Sequence, residues 1–256
     1  MSRSFRAIIR ENRPVHASHN LLSLTVPEAV SSPSPGQFYM IEVNKGTDPL
    51  LKRAFSLFRR TPEDLQILYR VRGRGTEILK RMKEGTVLDM LGPLGNSYPM
   101  PGDHTIPLIV AGGIGIASVY SLVERLAGRA LLFYGCRTGE DLLMLREAGQ
   151  LARETLISTD DGSEGARGTA ADLLQEYLSR RPADEPRYVI YACGPRPLLE
   201  AVAKISSSRR IPSYVAMEEH MACGIGACLG CVVNTREGYK RVCKEGPVFR
   251  STEILW

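Results

Sequence analysis

No stretch of this sequence is apolar for long enough to cross a bilayer. The most apolar run, residues 106–119, is interrupted by Pro107 and three glycines. The opening MSRSFRAIIRENR has no apolar core of the kind a secretory leader carries. A soluble, cytoplasmic protein is therefore expected. Neither sign of charge dominates: 33 Lys+Arg against 28 Asp+Glu leave +5, with no long basic block. That gives little support to nucleic-acid or membrane binding. Histidine is scarce, at four residues. No carboxylate pair or Ser–His spacing suggests acid–base or nucleophilic catalysis. Internal repeats and low-complexity tracts are missing, and 43% hydrophobic residues exclude a disordered chain.

The 256 residues suffice for about two domains and for a sizeable core without covalent staples. Residues 1 to about 100 carry short runs rich in Ile, Val, Leu, Phe and Tyr at 5–10, 20–26, 37–43, 53–59, 65–71 and 86–91. Turn residues separate them, so the spacing predicts a small antiparallel barrel. One helix over 76–82, begun by the capping-type Thr76, interrupts it. A Pro- and Gly-rich stretch at 99–103 reads as a linker. Beyond it, strands at 105–110, 130–134, 155–159 and 188–191 alternate with helices at 118–126, 140–147, 170–178 and 196–205. That rhythm predicts a parallel sheet covered on both faces. From about 217 a short Gly- and Cys-rich segment follows.

Four of the six cysteines lie in that segment: Cys223, Cys228, Cys231 and Cys243. A C-x4-C-x2-C spacing with a fourth cysteine downstream is the plant-type [2Fe–2S] pattern. Two bridged irons need four thiolates, and one tight loop can offer three. Gly224, Gly226 and Gly230 allow the loop to turn and bring amide N–H groups close to sulfur. The rival is a four-cysteine zinc site, which ordinarily uses well-separated knuckles. Redox-active thiols are a further alternative. His220 reads as a surface residue, and Cys136 and Cys193 lie outside the quartet.

Two Gly-rich turns follow strands and open helices. Gly112, Gly113 and Gly115 sit in AGGIGIA, a context that suits a pyrophosphate at a helix N-terminus. Gly73-Arg74-Gly75-Thr76, with Arg70 and Arg72 nearby, could hold another through N–H groups, a hydroxyl and cations. Arg53-Ala54-Phe55-Ser56 adds an arginine, a ring and a hydroxyl. Taken singly, each turn is equally well read as packing.

Together these pieces resemble the ferredoxin–NAD(P)+ reductase superfamily. Arg53-Ala54-Phe55-Ser56 is similar to its RxYS flavin motif, with Phe in place of Tyr. Gly73-Arg74-Gly75-Thr76 matches its GxGT turn, and Gly92-Pro93-Leu94-Gly95-Asn96 its GPxG element. Residues 111–117 match its nicotinamide-domain turn, and Cys193-Gly194-Pro195 its CGP motif. The segment from Glu218 to Cys231, with Cys243 to Phe249, resembles the electron-transfer subunits of class 1B dihydroorotate dehydrogenases. The resemblance runs the length of the chain.

The resemblance implies a β + α/β multidomain protein. Its parts would be an FAD-binding β-barrel over 1–100, an NAD-binding α/β domain over 101–216 and a [2Fe–2S] segment over 217–256. Arg53, Ala54, Phe55 and Ser56 would contact the isoalloxazine and diphosphate of FAD. Leu68, Tyr69 and Arg70 would line the ribityl and ring region, and Gly75 and Thr76 the pyrophosphate. Cys193 would lie near hydride transfer in a positioning role. Asp160 and Asp161 would meet the adenosine half of the nucleotide, which favours NAD over NADP; capping of the following turn is the competing role. The implied partner is an FMN-containing dihydroorotate dehydrogenase catalytic subunit in a heterotetramer with two copies of each, serving pyrimidine synthesis. The alternative is a reductase subunit of a hydrogenase, sulfide dehydrogenase or ferredoxin–NADP+ oxidoreductase complex. From another class altogether stands a zinc-stabilised nucleotide-binding regulator. The tail around Phe249, Leu255 and Trp256 is expected to pack on the cluster segment.

Overall fold

A computed structural model describes residues 3–16, 18–28, 32–180 and 187–256. Strand β1 (Arg3–His16) alternates, with Ala7 and Ile9 buried and Ile8 outward. Register shifts between Ile9 and Glu11 and between Pro14 and His16 bend it along its partner. With β2 (His19–Thr25), β3 (Phe38–Ile41), β4 (Arg53–Ser56), β5 (Arg59–Arg60), β6 (Leu65–Arg70) and β7 (Val87–Leu94) it builds one antiparallel sheet in the order β4-β3-β7-β1-β2-β6-β5. The sheet curls into a half-barrel. Its β4 edge lies against β6, where Phe55 and Tyr69 meet edge to face at 5.7 Å.

Helix α1 (Arg74–Arg81) follows β6. It starts two residues earlier than the pattern predicts. Gly73 caps it, and Thr76 sits one turn inside, its hydroxyl accepting from the N–H groups of Arg72 and Gly73. The threonine thus closes the turn from within instead of capping it.

The second sheet contains β8 (Thr105–Gly112), β9 (Leu131–Cys136), β10 (Glu154–Thr159), β11 (Ala166–Arg167), β12 (Arg187–Cys193) and β13 (Ser213–Ala216), all parallel. Helices α2 (Ile116–Leu126), α3 (Leu145–Leu151), α4 (Ala170–Ser179) and α5 (Arg196–Ser208) cover its faces. The apolar runs of β8 and β9 are buried on both sides, as a covered parallel sheet requires. The helix expected over 140–147 is instead a 3-10 turn, Gly139–Asp141, followed by α3. Met144 takes a left-handed conformation at φ 54°, and the Leu143 N–H donates to the Tyr134 hydroxyl at 3.0 Å. Those two features break the ladder that a helix would need.

The Cys-rich segment holds a hairpin of β14 (Val232–Thr235) and β15 (Gly238–Arg241). It ends in β16 (Val248–Arg250), which pairs antiparallel with β13 and completes the second sheet as β11-β10-β9-β8-β12-β13-β16. Helix α2 lies between the two large sheets and is buried along most of its length. Its Tyr120 packs on Phe58 with ring centroids 4.3 Å apart, and Leu21 and Leu68 share that core with Ile109 and Val119. The expected class, an antiparallel barrel beside a parallel sheet with a small C-terminal segment, is the class observed.

Candidate functional site

Helix α1 points its first turn at the side chain of Arg53. A Cβ on Gly75 would stand 2.6 Å from the Arg53 Nε, so only glycine lets the guanidinium lie over this turn. Arg53 is anchored by donating to the Leu51 carbonyl at 2.6 Å, and Arg74 is tied to Asp48. The exposed Arg70 and Arg72 stand at the same end of the helix. Backbone N–H groups, a helix N-terminus and three further cations therefore converge, an arrangement fitted to a diphosphate. Thr76 Oγ is engaged with the turn itself. Phe55, Leu68 and Tyr69 are buried, and the Tyr69 hydroxyl donates to Asn12 at 3.0 Å. Ala54 is exposed and Ser56 half-buried, so these two are the open side of β4.

At the C-terminal ends of β8 and β12 the two Gly-containing turns pack into each other. A Cβ on Gly112 would meet Leu198 Cδ2 at 2.6 Å and Pro195 Cδ at 2.9 Å, and one on Gly115 would strike the Cys193 carbonyl. A Cβ on Gly194 would lie 3.0 Å from Gly112 Cα. Gly112 and Gly115 are thus needed for close packing of 111–117 against 193–195. Gly113 differs: its φ is +52° and its Cβ direction is open. It is the glycine of this turn that faces free space, at the strand ends where parallel α/β sheets take nucleotides.

Cys193 lies beneath this turn, almost wholly buried. Desolvation, with the carboxylate of Glu218 adding, pushes its thiol well above the ordinary range. The Tyr98 hydroxyl, also buried, points to the Ala192 carbonyl at 3.5 Å and is raised by the same burial, with Cys193 and Glu218 nearby. Glu218 itself is raised by desolvation. The residue is nonetheless exposed to solvent on one side. Tyr98 from the end of the barrel, Ser118 from α2, Cys193 from β12 and Glu218 after β13 thus lie close to one another. Sequence reasoning singled out Cys193 and missed Glu218. The only signal was a Glu-Glu pair just ahead of the cysteine loop.

After the strand that bears Thr159, Asp160 is exposed, while Asp161 accepts from the Ser163 hydroxyl at 2.6 Å and its N–H at 3.0 Å. Asp161 is therefore the turn-former, and Asp160 keeps its carboxylate open.

The four C-terminal cysteines stand as two pairs. The Cys243 N–H donates to Cys231 Sγ at 3.4 Å, and Cys223 lies beside Cys228. The Gly226 N–H, donating to Cys243 Sγ at 3.1 Å, joins the pairs. Burial opposes ionisation of Cys223, but the N–H groups of Ile225, Cys228 and Ala227, with the Cys228 thiol, outweigh it and draw the thiol down to about 6. The chain can point those N–H groups inward because Gly224 (φ +71°), Gly226 (φ +80°) and Leu229 (φ 58°) are left-handed. Two thiol pairs joined by backbone donors fit a dinuclear iron–sulfur cluster better than a lone zinc.

The loop is seated on the barrel. A Cβ on Gly224 would meet Met40 Cγ at 2.6 Å and Leu94 Cδ1 at 3.3 Å. On the other side Arg241 donates to the Gly226 carbonyl at 2.9 Å and is held by Glu245.

Comparison with known proteins agrees with this geometry. Residues 218–255 match the model of the iron-sulfur cluster binding domain of dihydroorotate dehydrogenase B, and residues 109–204 match that of the oxidoreductase NAD-binding domain. A dihydroorotate dehydrogenase B (NAD(+)) electron transfer subunit from Caldanaerobacter subterraneus subsp. tengcongensis is 36% identical over 255 residues, which is 98% of both chains. The chain belongs to this family of electron transfer subunits. A Geobacillus member is 37% identical over 87% of each chain. Among solved structures, an NADH-dependent reduced ferredoxin-NADP oxidoreductase superposes with a TM-score of 0.85 at 22% identity, over 98% of this chain and 90% of that one. A ferredoxin reductase of carbazole 1,9a-dioxygenase superposes at 0.69 and 21% identity, over 82% and 66%. These two likenesses are of fold.

For a dihydroorotate dehydrogenase B electron transfer subunit, the placement of the other singled-out residues is informative. Phe249 is buried in the core and the Trp256 indole donates to the Ser251 carbonyl at 3.1 Å, while Leu255 stays partly exposed. The tail aromatics are thus packing groups, as expected. Ile225 and Leu229 of the cysteine loop, and Val232 and Tyr239 of the hairpin that follows, are each exposed.

Proposed function

We propose that this chain passes electrons between NAD+ and the FMN-containing catalytic subunit of a dihydroorotate dehydrogenase, in the synthesis of pyrimidines. The observation that carries the reading is the pair of thiol pairs seated through Gly224 on the barrel and collared by exposed apolar side chains. Bound NAD would exchange a hydride, bound FAD would trade electron pairs for single ones, and a bound [2Fe–2S] cluster would pass them singly.

The chain's own residues divide the work. Arg53, Gly75 and the first turn of α1, with Arg70 and Thr76, would hold the FAD diphosphate; Ala54, Phe55 and Ser56 would border the isoalloxazine, and Leu68 and Tyr69 its wall. Gly112, Gly113 and Gly115 would shape the nicotinamide turn, with Asp160 on the ribose. Cys193, kept protonated by burial, would position the nicotinamide and do no covalent chemistry. Cys223, Cys228, Cys231 and Cys243 would hold the cluster.

This supports a division into a flavin part over 1–100, a nicotinamide part over 101–216 and a cluster part over 217–256. The exposed Ile225, Leu229, Val232 and Tyr239 form the kind of apolar collar a permanent partner covers. The reading includes an assembly with two copies of each subunit. It also places the complex in the cytoplasm, where thiol ligands stay reduced. No helix among the described residues is long and apolar enough to cross a membrane.

The test is reconstitution with the cognate catalytic subunit. Dihydroorotate-dependent reduction of NAD+ is expected. Its absence in a complex loaded with both flavins and the cluster would overturn the reading. Ferredoxin-dependent turnover instead would favour the reductase alternative, which now rests on fold likeness alone.

A further inference from the structure

At the N-terminal ends of β8, β12 and β13, opposite the strand ends that carry the glycine turns, the second sheet opens into a cavity of about 410 Å³. Arg187 enters it from the start of β12, and Arg209 and Arg210 from the turn after α5. Among the described residues no Asp or Glu lines it, and none of the three arginines has an ion pair. Outside the lining, Arg129 donates to the carbonyl of the lining residue Gly102 at 2.8 Å. One wall is the ring of Tyr214, half-buried and stacked on Tyr191 at 5.8 Å and 18°. Met100, exposed, forms the rim.

A helix C-terminus favours cations, which accounts for Arg209 and Arg210 beside the end of α5. It does not account for Arg187, which begins a strand, nor for the lack of a carboxylate among the described lining residues. Uncompensated like charges facing one hollow repel each other and weaken the fold unless an anion joins them. Arginines match the oxygens of a phosphate through paired hydrogen bonds, and a tyrosine face matches a planar ring. The volume falls in the range of small-ligand pockets.

We infer that this cavity is a second nucleotide site, separate from the electron-transfer path, for a nucleoside monophosphate whose phosphate meets Arg187, Arg209 and Arg210 and whose base lies on Tyr214. Such a site would let the level of a nucleotide reach the sheet that carries the nicotinamide turn.

The experiment titrates the loaded complex by calorimetry with uridine 5′-monophosphate, uridine and inorganic phosphate. Saturating NAD+ keeps the dinucleotide site filled. Saturable heat is expected with the nucleotide, weaker heat with phosphate and none with uridine. Arg187→Ser with Arg210→Ser should weaken nucleotide binding by about a hundredfold, roughly tenfold for each lost charged contact. Tyr214→Leu should erase the advantage of nucleotide over phosphate. Gly102→Phe, at a position where a Cβ meets only Thr105 Oγ1 at 3.7 Å, should fill the hollow and block binding without touching a charge. No saturable heat with the nucleotide, or binding unchanged by both the arginine pair and Gly102→Phe, would overturn the inference. The visible spectrum and NADH oxidation should stay as in the parent, which separates this outcome from failure of the electron-transfer reading.

Discussion

Asn96 and Val248, 152 residues apart, exchange two hydrogen bonds. The Asn96 amide donates to the Val248 carbonyl at 2.7 Å, and the Val248 N–H donates back to Asn96 Oδ1 at 2.9 Å. The same amide reaches the Glu245 carbonyl at 2.9 Å, and the Asn96 N–H donates to Gly246. One side chain thus acts as a short strand that ties the end of the barrel to the segment behind the last cysteine. Asn96→Ala leaves part-buried backbone groups unpaired and should lower the unfolding free energy by ~2–4 kcal/mol. Urea titrations read by cluster absorbance and by flavin fluorescence would check this: cluster bleaching should move to lower urea than flavin release.

Two glycines of the cysteine loop should respond differently to alanine. Gly224 is left-handed and pressed on Met40, so Gly224→Ala should cost ~1–3 kcal/mol and sharply reduce iron content. Gly230, whose Cβ would meet only Cys228 Sγ at an ordinary 3.5 Å, should accept alanine and keep its iron. Iron and acid-labile sulfide assays on the two variants decide the point.

Nucleotide preference should follow Asp160 and not its neighbour. Removing the open carboxylate in Asp160→Ser should raise NADPH turnover relative to NADH by about tenfold. Asp161→Asn should shift the ratio little, because Asp161 spends its oxygens on Ser163. Steady-state rates with each nucleotide are the measurement.

His19 should make the fold acid-sensitive. Burial first, then the charges of Arg70 and His16, hold its pKa below the usual 6.5, against the weaker pull of Asp141. Between that lowered pKa and 6.5 the unfolded chain binds a proton that the folded one refuses. Stability is therefore complete above 6.5 and declines as pH falls through this window. His19→Asn should flatten the decline in melting temperature between pH 7 and 5. An unchanged slope would show that other groups set it.

The two thiols outside the quartet should resist alkylation. Burial pushes Cys136 up to about 11 and Cys193 higher still. Mass spectrometry after iodoacetamide treatment of the folded protein at pH 8 should find both unmodified, and denaturation should expose them.

Periodicity carried most of the fold. The alternation in β1 and the unbroken apolar runs of β8 and β9 are local signals that tertiary contacts only reinforce. The break at 140–147 was invisible because its cause, the Tyr134 hydroxyl, comes from a different strand. The cysteine spacing was legible because one tight loop carries three of the ligands. Glu218 and Asn96 were not, since each owes its role to groups brought up from distant parts of the chain. The glycines of 111–117 carry a second duty that the sequence does not announce: Gly112 makes room for Leu198 and Pro195, and Gly115 for the Cys193 carbonyl.

Because β16 closes the edge of β13, the outermost lane of the second sheet is filled by residues synthesised well after the strand they cover. Until they emerge, the nascent chain presents a bare strand edge, a template for unwanted pairing with other nascent chains. That edge is therefore capped by the same stretch that follows the fourth cysteine, which couples closure of the sheet to arrival of all four thiols.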